Sequence, residues 1–355
     1  MRPSVLLINN GYPSIKRPHF VTYIKSIHDC LDEAGMEVTL LVMNSNFSNS
    51  FGKYYNYLKY YLRLLLYSKY QKFDYIYIHN YPSSFLPLAF HLHRLKNVYI
   101  HWHGEDIFEK SGLSGIVNKL SYLFLKKHYC HLTPSRYFKE QVSNKLHIDQ
   151  SKIAVSPSGG IDSEVFKNQL KRSNKPGQNI VLGFASGMWS NKGMDLVHLL
   201  ITETNQTDYS LKFQFDFKII DYGHERDKYY ELIHRFPNVT LLPPLPKNKM
   251  VDFYSSIDIL LFPSIRPSES LGLTSLEAMS CNTPVIGTDA FAMKETIIPG
   301  QTGERFEYNN YSNFIKALIL CCEKLETYHP RPFIIQNFSK QAVVDGYKQI
   351  FKLHA

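Results

Sequence analysis

Apolar positions along the chain follow two alternating patterns. Short continuous apolar runs predict strands buried on both faces, whereas longer stretches with apolar residues three or four positions apart predict helices. The pattern predicts a strand at residues 5–9, a helix at 20–34 that ends at Gly35, and a second strand at 38–43. Because strands and helices continue to alternate, the pattern predicts an α/β protein with parallel sheets.

The most informative alternation lies between residues 259 and 306. An apolar run at 259–262 predicts a strand buried on both faces, and turn-forming residues at 263–272 predict a loop. Good helix formers then predict a helix over 273–281. Ligands of parallel α/β sheets bind outside the carboxyl ends of the strands, so this loop lies where a ligand would be bound.

The loop and the start of this helix carry groups that can bind a ligand. Gly272 lets the backbone approach a ligand closely, and the N–H groups at the helix start favour an anion such as a phosphate. Glu277 follows Glu269 by eight residues, and its carboxylate can accept hydrogen bonds from sugar hydroxyls. On spacing alone a structural interpretation stays open, in which Glu277 is a solvated helix carboxylate and Gly272 a turn residue.

A second candidate anion-binding turn follows the strand predicted at residues 180–186. A turn flanked by Gly187 and Gly193 separates this strand from a helix, and Lys192 stands at the helix start. The lysine is a compact positive charge and the helix start supplies N–H groups, so this turn is suited to bind a diphosphate.

In the first half of the chain, candidate residues follow two strand ends. Gly11 and Tyr12 lie in the loop after the first strand, and His103 follows a strand predicted at residues 98–102. The position of His103 at a strand end makes it a candidate binding residue, with a structural histidine as the alternative. Asp106 is predicted to hold this loop, with a catalytic carboxylate as the alternative.

The distribution of charge bears on possible partners. The chain has 355 residues, enough for two domains, and a net charge of +9. Residues 1–175 contain 23 Lys and Arg and 12 Asp and Glu, a net of +11, so the remainder carries −2. The basic half contains no nucleic-acid motif, so an anionic membrane surface or an anionic acceptor is expected instead of nucleic acid.

Three features of the sequence bear on location. No apolar run is long enough to span a bilayer, and the N-terminal apolar run is too short for a signal peptide. The five cysteines are odd in number and show no metal-ligand spacing, which is typical of reduced thiols in a cytosol. A cytoplasmic protein is therefore expected.

Residues 51–72 combine tyrosines with basic residues in a helix-like pattern that places Leu58, Leu62 and Leu65 on one side. The basic residues are Lys53, Lys59, Arg63, Lys69 and Lys72. One interpretation is a helix that binds a membrane surface or an acceptor. The other is a helix packed on the core with a solvated basic edge. The sequence does not decide between them.

The segment 259–306 as a whole resembles the signature of the retaining nucleotide-sugar glycosyltransferases of glycosyltransferase family 4 (group 1). It shares with that signature a Pro-Ser pair after a strand, two glutamates around a Gly-Leu pair, a Pro-Val-Ile segment, and a glutamate followed by two glycines. These residues are Pro263, Ser264, Glu269, Gly272, Leu273, Glu277, Pro284, Val285, Ile286, Glu295, Gly300 and Gly303. In the first half, residues 17–21 and the His103-Gly104 pair also resemble the family.

The resemblance implies a GT-B fold, in which two Rossmann-like parallel-sheet domains face each other across a cleft. The expected acceptor-binding domain spans residues 1–170, the nucleotide-sugar-binding domain spans 171–335, and a last helix at 336–355 packs back on the first domain. The polar stretch 167–179 contains proline and glycine and is the expected linker.

The resemblance also implies roles for individual residues. His103 and Glu269 would contact the donor sugar, Glu277 would hold the ribose, and Lys192 would bind the diphosphate. Further donor-binding residues are expected in the same loops: Ser270, Leu271, Gly272, Leu273, Gly187, Arg266, and Pro243 near the nucleobase. The acceptor-side loop would comprise Gly11, Tyr12 and Asp106.

One departure from the family pattern concerns the diphosphate site. The family has an arginine where this chain has Gly187, and Arg266 is the candidate to compensate. The implied reaction transfers a sugar from a UDP or GDP donor, with retention, to a glycan or lipid-linked acceptor. It would use no cofactor and no metal, in assembly of a cell-envelope polysaccharide such as lipopolysaccharide, capsule or exopolysaccharide. A non-catalytic subunit of a polysaccharide-assembly complex, and an epimerase or phosphorylase of the same fold, are the alternatives.

Overall fold

A computed structural model describes residues 2–14, 20–47, 49–67, 69–92, 94–108, 112–125, 129–167, 179–206 and 212–353. The chain divides into two compact units: Met1–Gly160 together with Lys340–Ala355, and Ile161–Ser339. Two sequence predictions, the family-like residues Arg17, Pro18 and His19 and most of the linker (168–178), lie outside the described residues.

The first unit is built on a six-stranded sheet in which every neighbouring pair is parallel, with the order β2-β1-β3-β4-β5-β6. Its strands are β1 (Ser4–Asn9), β2 (Glu37–Val42), β3 (Tyr75–His79), β4 (Val98–His101), β5 (Cys130–Thr133) and β6 (Ile153–Val155). Its helices are α1 (Thr22–Glu33), α2 (Ser50–Leu66), α3 (Tyr81–Leu92), α4 (Gly112–Leu123), α5 (Arg136–Leu146) and, at the end of the chain, α13 (Lys340–Ile350).

Helices cover both faces of this sheet. On one face, residues from α2, α3 and α5, among them Leu64, Leu88 and Phe138, form a core with Leu6 and Ile8 of β1. On the other face, residues of α1 and α13 form a second core with Val5 and Leu7 of the same strand. Successive residues of a strand point to opposite faces, which explains why residues 5–8 of β1 are all apolar.

Helix α2 packs on the sheet through other residues than the three leucines that the sequence pattern places on one side. It turns Tyr60 and Leu64 towards the sheet, and both are buried. Leu58, Leu62 and Leu65 are 57%, 46% and 38% exposed, so the leucines that the pattern placed on one side do not face the core. Helix α2 therefore packs on the core, as one of the two interpretations expected, but it does so through Tyr60 and Leu64 and not through these three leucines.

The second unit is also built on a six-stranded parallel sheet, with the order β12-β11-β10-β7-β8-β9. Its strands are β7 (Ile180–Phe184), β8 (Phe215–Ile220), β9 (Val239–Leu242), β10 (Ile259–Phe262), β11 (Val285–Thr288) and β12 (Gly303–Phe306). Its helices are α6 (Met194–Thr204), α7 (Arg226–Ile233), α8 (Lys247–Ser255), α9 (Leu273–Ser280), α10 (Met293–Thr296), α11 (Tyr311–Glu323) and α12 (Pro330–Phe338).

The second unit begins earlier than the expected boundary at residue 171. The Ile161 N–H donates to the carbonyl of Phe338 at 2.8 Å. The Arg331 guanidinium donates to the carbonyls of Phe166 at 2.7 Å and Ser163 at 2.9 Å. These hydrogen bonds attach residues 161–167 to α12, which places the start of the second unit at Ile161.

Candidate functional site

The site in the second unit is built on the loop between β10 and α9. All four residues of β10 are buried, and the loop leaves the sheet at its carboxyl edge. Gly272 is the N-cap of α9 and has φ +73°. This left-handed backbone conformation favours glycine, and an added Cβ would also meet the Met293 Cε at 2.8 Å. A glycine N-cap has no side chain to cover the N–H groups of the first helical turn, which leaves them for a ligand.

Lys192 and Glu269 form an ion pair beside this loop. Their side chains are only 13% and 16% exposed, and the Ser264 hydroxyl donates a further hydrogen bond to the Glu269 Oε2 at 3.3 Å. The structure therefore brings together two residues that the sequence analysis placed in the site from distant segments. The pair as a whole is neutral, and it holds the Lys192 ammonium close to the start of α6, which begins at Met194.

The turn that carries Lys192 is fastened to the loop after β10. The Ile265 N–H donates to the carbonyl of Asn191 at 3.0 Å. Gly193 has φ +81°, and a Cβ there would lie 2.2 Å from the carbonyl oxygen of Pro263. Only glycine allows these two backbones to approach so closely, so Gly193 fixes the position of Lys192 relative to Glu269.

Glu277 lies on α9, and its Oε2 accepts a hydrogen bond from the Tyr254 hydroxyl at 3.0 Å. Burial raises the pKa of the Glu277 carboxyl, while Lys247 and the Tyr254 hydrogen bond act in the opposite direction. Its other oxygen, Oε1, accepts no hydrogen bond from the part of the chain that the structure describes. One carboxylate oxygen is thus held by the protein, and the other can accept hydrogen bonds from hydroxyl groups.

Tyr222 is a site residue that the sequence analysis missed. Burial raises the pKa of its hydroxyl, and the charges of Glu277 and Glu269 raise it further. The hydroxyl donates to the carbonyl of Ala185 at 3.2 Å. No local pattern in the sequence connects this tyrosine with the two glutamates.

Arg266 lies close to the position where the family arginine is replaced by Gly187. Its guanidinium carbon is 5.6 Å from the centre of the Trp189 ring. A Cβ added at Gly187 would lie 3.2 Å from a carbon of the same ring. The indole also stacks on the ring of His224, with ring centres 5.0 Å apart. Arg266 therefore lies against the same tryptophan as Gly187, the position at which the family has an arginine.

The remaining predicted donor-site residues are Leu271, Ser270 and Pro243, and no hydrogen bond in the described residues joins their side chains to Lys192 or Glu269. The Leu271 side chain is buried, which leaves its backbone for contact with a ligand, and Ser270 is partly exposed. Pro243 lines a surface pocket of about 480 Å³. The other lining residues are Asp221, Arg226, Tyr230, His234, Val239 and Leu241. This pocket shares no lining residue with the group around Lys192.

The candidate site in the first unit follows β4. The backbone N–H groups of His103 and Gly104 donate to the Asp106 carboxylate at 3.0 and 2.9 Å. The Asp106 side chain is 2% exposed, so it holds the loop from inside. The ring of His103 is partly exposed and packs against the Tyr23 ring, with ring centres 4.5 Å apart. Asp106 thereby fixes the position of His103.

His103 belongs to a cluster of three histidines at the ends of β3 and β4. His79 Nδ1 and His103 Nε2 share a hydrogen bond of 2.8 Å, and His101 Nδ1 lies 2.7 Å from the Tyr77 hydroxyl. Burial lowers the pKa of His103 to about 3, and it lowers the pKa of His79 and His101 well below the usual value. All three rings are therefore neutral at pH 7.

The same cluster is a candidate for metal binding by composition. Across the described ranges, these histidines are the one group of three or more His, Cys, Asp or Glu residues that could hold a metal ion. Their possible ligand atoms lie within 4.8 Å of one another. The His103 ring is stacked on His79 at 20° and on His101 at 26°. The 2.8 Å hydrogen bond between His79 Nδ1 and His103 Nε2 uses one nitrogen of each of these two rings, so a metal ion bound there would have to replace it.

The predicted acceptor-side loop follows β1. The Asn9 side-chain amide donates to the carbonyl of Gly11 at 2.7 Å, and the Tyr12 N–H donates to the Ser45 hydroxyl oxygen at 3.2 Å. Gly11 is buried and Tyr12 is partly exposed. Gly11 and Tyr12 thus lie at the carboxyl edge of the first sheet, at which β3 and β4 also end.

The two units together define a class of protein. Each is a Rossmann-like parallel sheet with chemically active side chains at its carboxyl edge, and the second has the cation and the helix start that suit a diphosphate. Models of two glycosyltransferase families match consecutive parts of the chain. Glycosyltransferase Family 4 matches residues 16–164, and Glycosyl transferases group 1 matches residues 165–329. The chain belongs to the family 4, group 1 glycosyltransferases.

Two curated relatives show how far the sequence similarity extends. A D-inositol 3-phosphate glycosyltransferase of Rhodococcus erythropolis is 30% identical over 118 residues, which cover 32% of this chain and 26% of that protein. The chain thus aligns with only about a quarter of that relative's length. An uncharacterized 41.2 kDa protein in the cps region of Klebsiella pneumoniae is 24% identical over 300 residues, which cover 80% of both chains.

Solved structures show the GT-B fold. Sucrose-phosphate synthase from Thermosynechococcus elongatus superposes with a TM-score of 0.74 at 16% identity, covering 99% of this chain and 98% of that one. Anabaena HepE in complex with UDP and glucose gives 0.68 at 15% identity, covering 99% of each chain. The lipopolysaccharide outer core galactosyltransferase WaaB gives 0.71 at 16% identity, covering 98% and 99%.

Proposed function

We propose that this protein transfers a glycosyl group from a nucleotide-diphosphate sugar to an acceptor. The observation that carries the proposal is the Lys192–Glu269 ion pair beside the glycine-capped start of α9. A lysine and a row of N–H groups are the chemistry that a diphosphate requires. Glu277, with one oxygen held by Tyr254, adds a hydroxyl-binding carboxylate a short distance along the same helix.

In the proposed mechanism, departure of the nucleoside diphosphate is the step that the second unit assists. Lys192 and the N–H groups near Gly272 and Leu273 stabilise the negative charge that develops on the leaving diphosphate. Arg266, beside the Gly187 turn, adds the cation that the family places at that position. Glu277 binds the ribose hydroxyls and Glu269 binds hydroxyls of the donor sugar.

We further propose that transfer retains the anomeric configuration and needs no divalent metal. Positive charge for the diphosphate comes from side chains and a helix start instead of an ion. Glu269 and Glu277 lie on one segment of one unit, whereas the two carboxylates of a glycosidase flank the sugar from opposite sides. Neither glutamate is therefore assigned as a nucleophile.

His103 is proposed as the contact that the first unit makes with the substrate. With its pKa lowered to about 3, the imidazole stays neutral at pH 7 and acts as a hydrogen-bonding ring rather than as a cation. The hydrogen bond to His79 Nδ1 occupies Nε2, and the Asp106 carboxylate fixes the backbone. A neutral, fixed ring is suited to bind a sugar hydroxyl without attracting phosphate.

The proposed donor is a UDP or GDP sugar, and the proposed acceptor is a glycan or a lipid-linked glycan of the cell envelope. The donor class is supported by the UDP and glucose in the HepE structure. The acceptor class is supported by the Klebsiella relative in a cps region and by the lipopolysaccharide galactosyltransferase of the same fold. We place the protein in the cytoplasm, peripherally on the inner face of the membrane. No helix in the described ranges has the length and apolar character to cross a bilayer.

A thermal-shift panel of UDP, GDP and ADP sugars tests the proposal. One nucleotide series should raise the melting temperature of the protein, because a ligand that binds only the native state stabilises it. The shift should disappear in Lys192→Ala and persist in Lys316→Ala, a control lysine that is exposed on α11. A panel without any shift, or a shift that survives Lys192→Ala, would contradict the donor site.

A second candidate function is a non-catalytic subunit that binds the nucleotide without transferring sugar. Gly187 at the family's arginine position favours it. Nucleotide binding in the panel, combined with no release of nucleoside diphosphate in the presence of acceptor glycans, would identify this function.

A further inference from the structure

Large exposed apolar side chains are concentrated on one part of the first unit. Of nineteen such side chains in the described chain, thirteen lie on α2, α3 or α4 or directly after α4. Monomeric soluble proteins expose single apolar residues at scattered positions, whereas a cluster marks a surface that binds something. We call the outward side of these three helices the α2–α4 face.

On α2 the exposed residues follow helical spacing. Phe51, Tyr55, Leu58 and Leu62 succeed one another at intervals of three or four and are between 46% and 81% exposed. A helix brings residues with this spacing to one side. The buried residue Tyr60 points to the opposite side, where its hydroxyl lies 2.7 Å from the Ser84 hydroxyl of α3. The helix is therefore amphipathic with a second apolar side, which is turned away from the core.

The neighbouring helices continue this surface. On α3, Leu86 and Phe90 are 46% and 69% exposed, and on α4 Ile116, Leu120 and Leu123 are between 42% and 79% exposed. The helices are joined into one layer, because His91 lies 2.7 Å from the Leu65 carbonyl and the rings of Phe85 and Phe124 are 5.2 Å apart. The exposed residues thus share one continuous helical layer.

The charges on this layer all have one sign. The sequences of α2, α3 and α4 contain no aspartate or glutamate, and they contain Lys53, Lys59, Arg63 and Lys119. The Lys59 Nζ lies 4.4 Å from the centre of the Tyr55 ring, so the ammonium sits directly at the edge of the apolar stripe. Long basic side chains beside exposed apolar ones match the chemistry of an anionic lipid headgroup above an acyl chain.

We propose that the α2–α4 face binds the surface of an anionic lipid bilayer. The apolar side chains enter the boundary between headgroups and acyl chains, and the basic residues bind the headgroups. A surface without acidic residues repels no anionic headgroup, and the exposed leucines and phenylalanines give it an affinity that charge alone would not provide. The proposal supplies the surface for the peripheral location proposed above, and it does not rest on the transfer reaction.

Co-sedimentation of the full chain with vesicles tests the proposal. Vesicles of phosphatidylglycerol and phosphatidylcholine should carry the protein into the pellet at low salt, and pure phosphatidylcholine vesicles should bind it at least tenfold less. Added salt should weaken binding to the anionic vesicles without abolishing it, because exposed charges are screened and apolar burial is not. Binding that ignores lipid charge, or no binding to anionic vesicles at low salt, would overturn the proposal.

Matched variants separate this face from apolar surface in general. Leu58→Ser with Leu62→Ser should reduce vesicle binding at least tenfold. The control pair Leu199→Ser with Ile335→Ser should leave vesicle binding unchanged. These two residues lie in the second unit and are similarly exposed, at 48% and 41%. Equal losses in both pairs would overturn the proposal. So would a concentration-dependent dimer in analytical ultracentrifugation that the first pair abolishes, because a second copy of the chain would then cover the face.

A charge variant and a donor assay complete the test. Lys53→Gln with Lys59→Gln should weaken binding to anionic vesicles, whereas Lys316→Gln with Lys324→Gln, which removes equal charge from exposed positions of α11 and its end, should leave it unchanged. All four variants should keep the wild-type nucleotide-sugar thermal shift. Loss of vesicle binding with an intact shift supports the membrane surface, and an absent shift in the wild type counts against the donor site alone.

Discussion

The carboxyl edges of the two sheets carry different chemistry. In the second unit this edge holds the Lys192–Glu269 ion pair and the partly buried Glu277. In the first unit it holds three histidines whose pKa values are lowered by burial, so these rings carry no charge at pH 7. The net charges of the two halves of the chain do not follow this difference. The first half carries +11, and the second half, which contains the Lys192–Glu269 pair, carries −2. Net charge therefore does not predict where a charged ligand binds.

The difference follows from how each edge is assembled. In the second unit, a strand, a loop and a helix that are consecutive in the sequence supply Glu269, Gly272 and Glu277, and one further turn supplies Lys192. In the first unit, His79 and His103 meet only because β3 and β4 pair in parallel. A ligand with concentrated negative charge fits the second edge, and a ligand with neutral hydroxyls fits the first.

The largest expected effect on activity comes from Lys192. Lys192→Ala should lower the turnover number about ten- to a hundredfold, because it removes a charge-assisted contact worth roughly 1.5–3 kcal/mol in the transition state. The circular dichroism spectrum should stay unchanged. Steady-state kinetics with the best donor from the thermal-shift panel measures the effect, and Lys316→Ala serves as the control. Full activity in Lys192→Ala would contradict the claim that this lysine stabilises the leaving diphosphate.

A smaller loss is expected from Glu277→Gln. The amide keeps the hydrogen bond to Tyr254 in altered form and weakens the contact to ribose hydroxyls, so the KM for the donor should rise about tenfold. Glu231→Gln, an exposed position on α7, should behave as wild type. A lowered turnover number with an unchanged KM would show that Glu277 acts on the reaction and not on ribose binding.

The pH dependence of stability should differ between the units. Burial lowers the pKa of His103 to about 3 and of His131 to about 4, while the unfolded histidines titrate near 6.5. The unfolded chain then binds more protons, so the first unit is fully stabilised above about pH 6.5 and loses stability as the pH falls towards 3–4. Glu277 acts in the opposite direction, because its raised pKa favours the folded state on acidification.

The two tryptophans allow this difference to be measured. Trp102 lies in the first unit and Trp189 in the second. In Trp189→Phe, the fluorescence of Trp102 should report a melting temperature that falls between pH 7 and pH 5. In Trp102→Phe, the fluorescence of Trp189 should report a smaller fall. Equal falls for both reporters would mean that the buried histidines do not distinguish the two units.

A chelator should have the smallest effect. In the second unit Glu269 is paired with Lys192 and Glu277 with Tyr254, so neither carboxylate is arranged as an oxygen ligand of Mg²⁺. Turnover in excess EDTA should equal turnover in buffer. A loss of activity that Mg²⁺ or Mn²⁺ restores would show that an ion supplies the positive charge in place of Lys192.

The sequence predicted the second unit more completely than the first. The strand at 259–262, the loop after it and α9 follow local propensities, and Gly272 is where the turn requires it. Helix α4 was not predicted, because Gly112 and Gly115 weaken the helical signal at its start. Tyr222 and the contact of His79 with His103 depend on which strands become neighbours, and no local pattern contains that information.

Helix α2 shows that a sequence pattern does not always identify which side of a helix is buried. Apolar residues at helical spacing predict that a helix is amphipathic, but α2 is apolar on two sides. The pattern of Leu58, Leu62 and Leu65 is as regular as that of the buried pair Tyr60 and Leu64. Only packing on the sheet decides which side is buried, so the exposed side became visible in the structure alone.

Nucleotide affinity in single variants of the two units tests the central claim most directly. The claim is that Lys192 at the edge of the second unit binds the nucleoside diphosphate and that the uncharged histidines at the edge of the first unit do not. Isothermal titration calorimetry with the preferred nucleoside diphosphate should show about ten- to a hundredfold weaker binding for Lys192→Ala and wild-type binding for His103→Ala. Equal weakening in both variants, or wild-type affinity in Lys192→Ala, would contradict it.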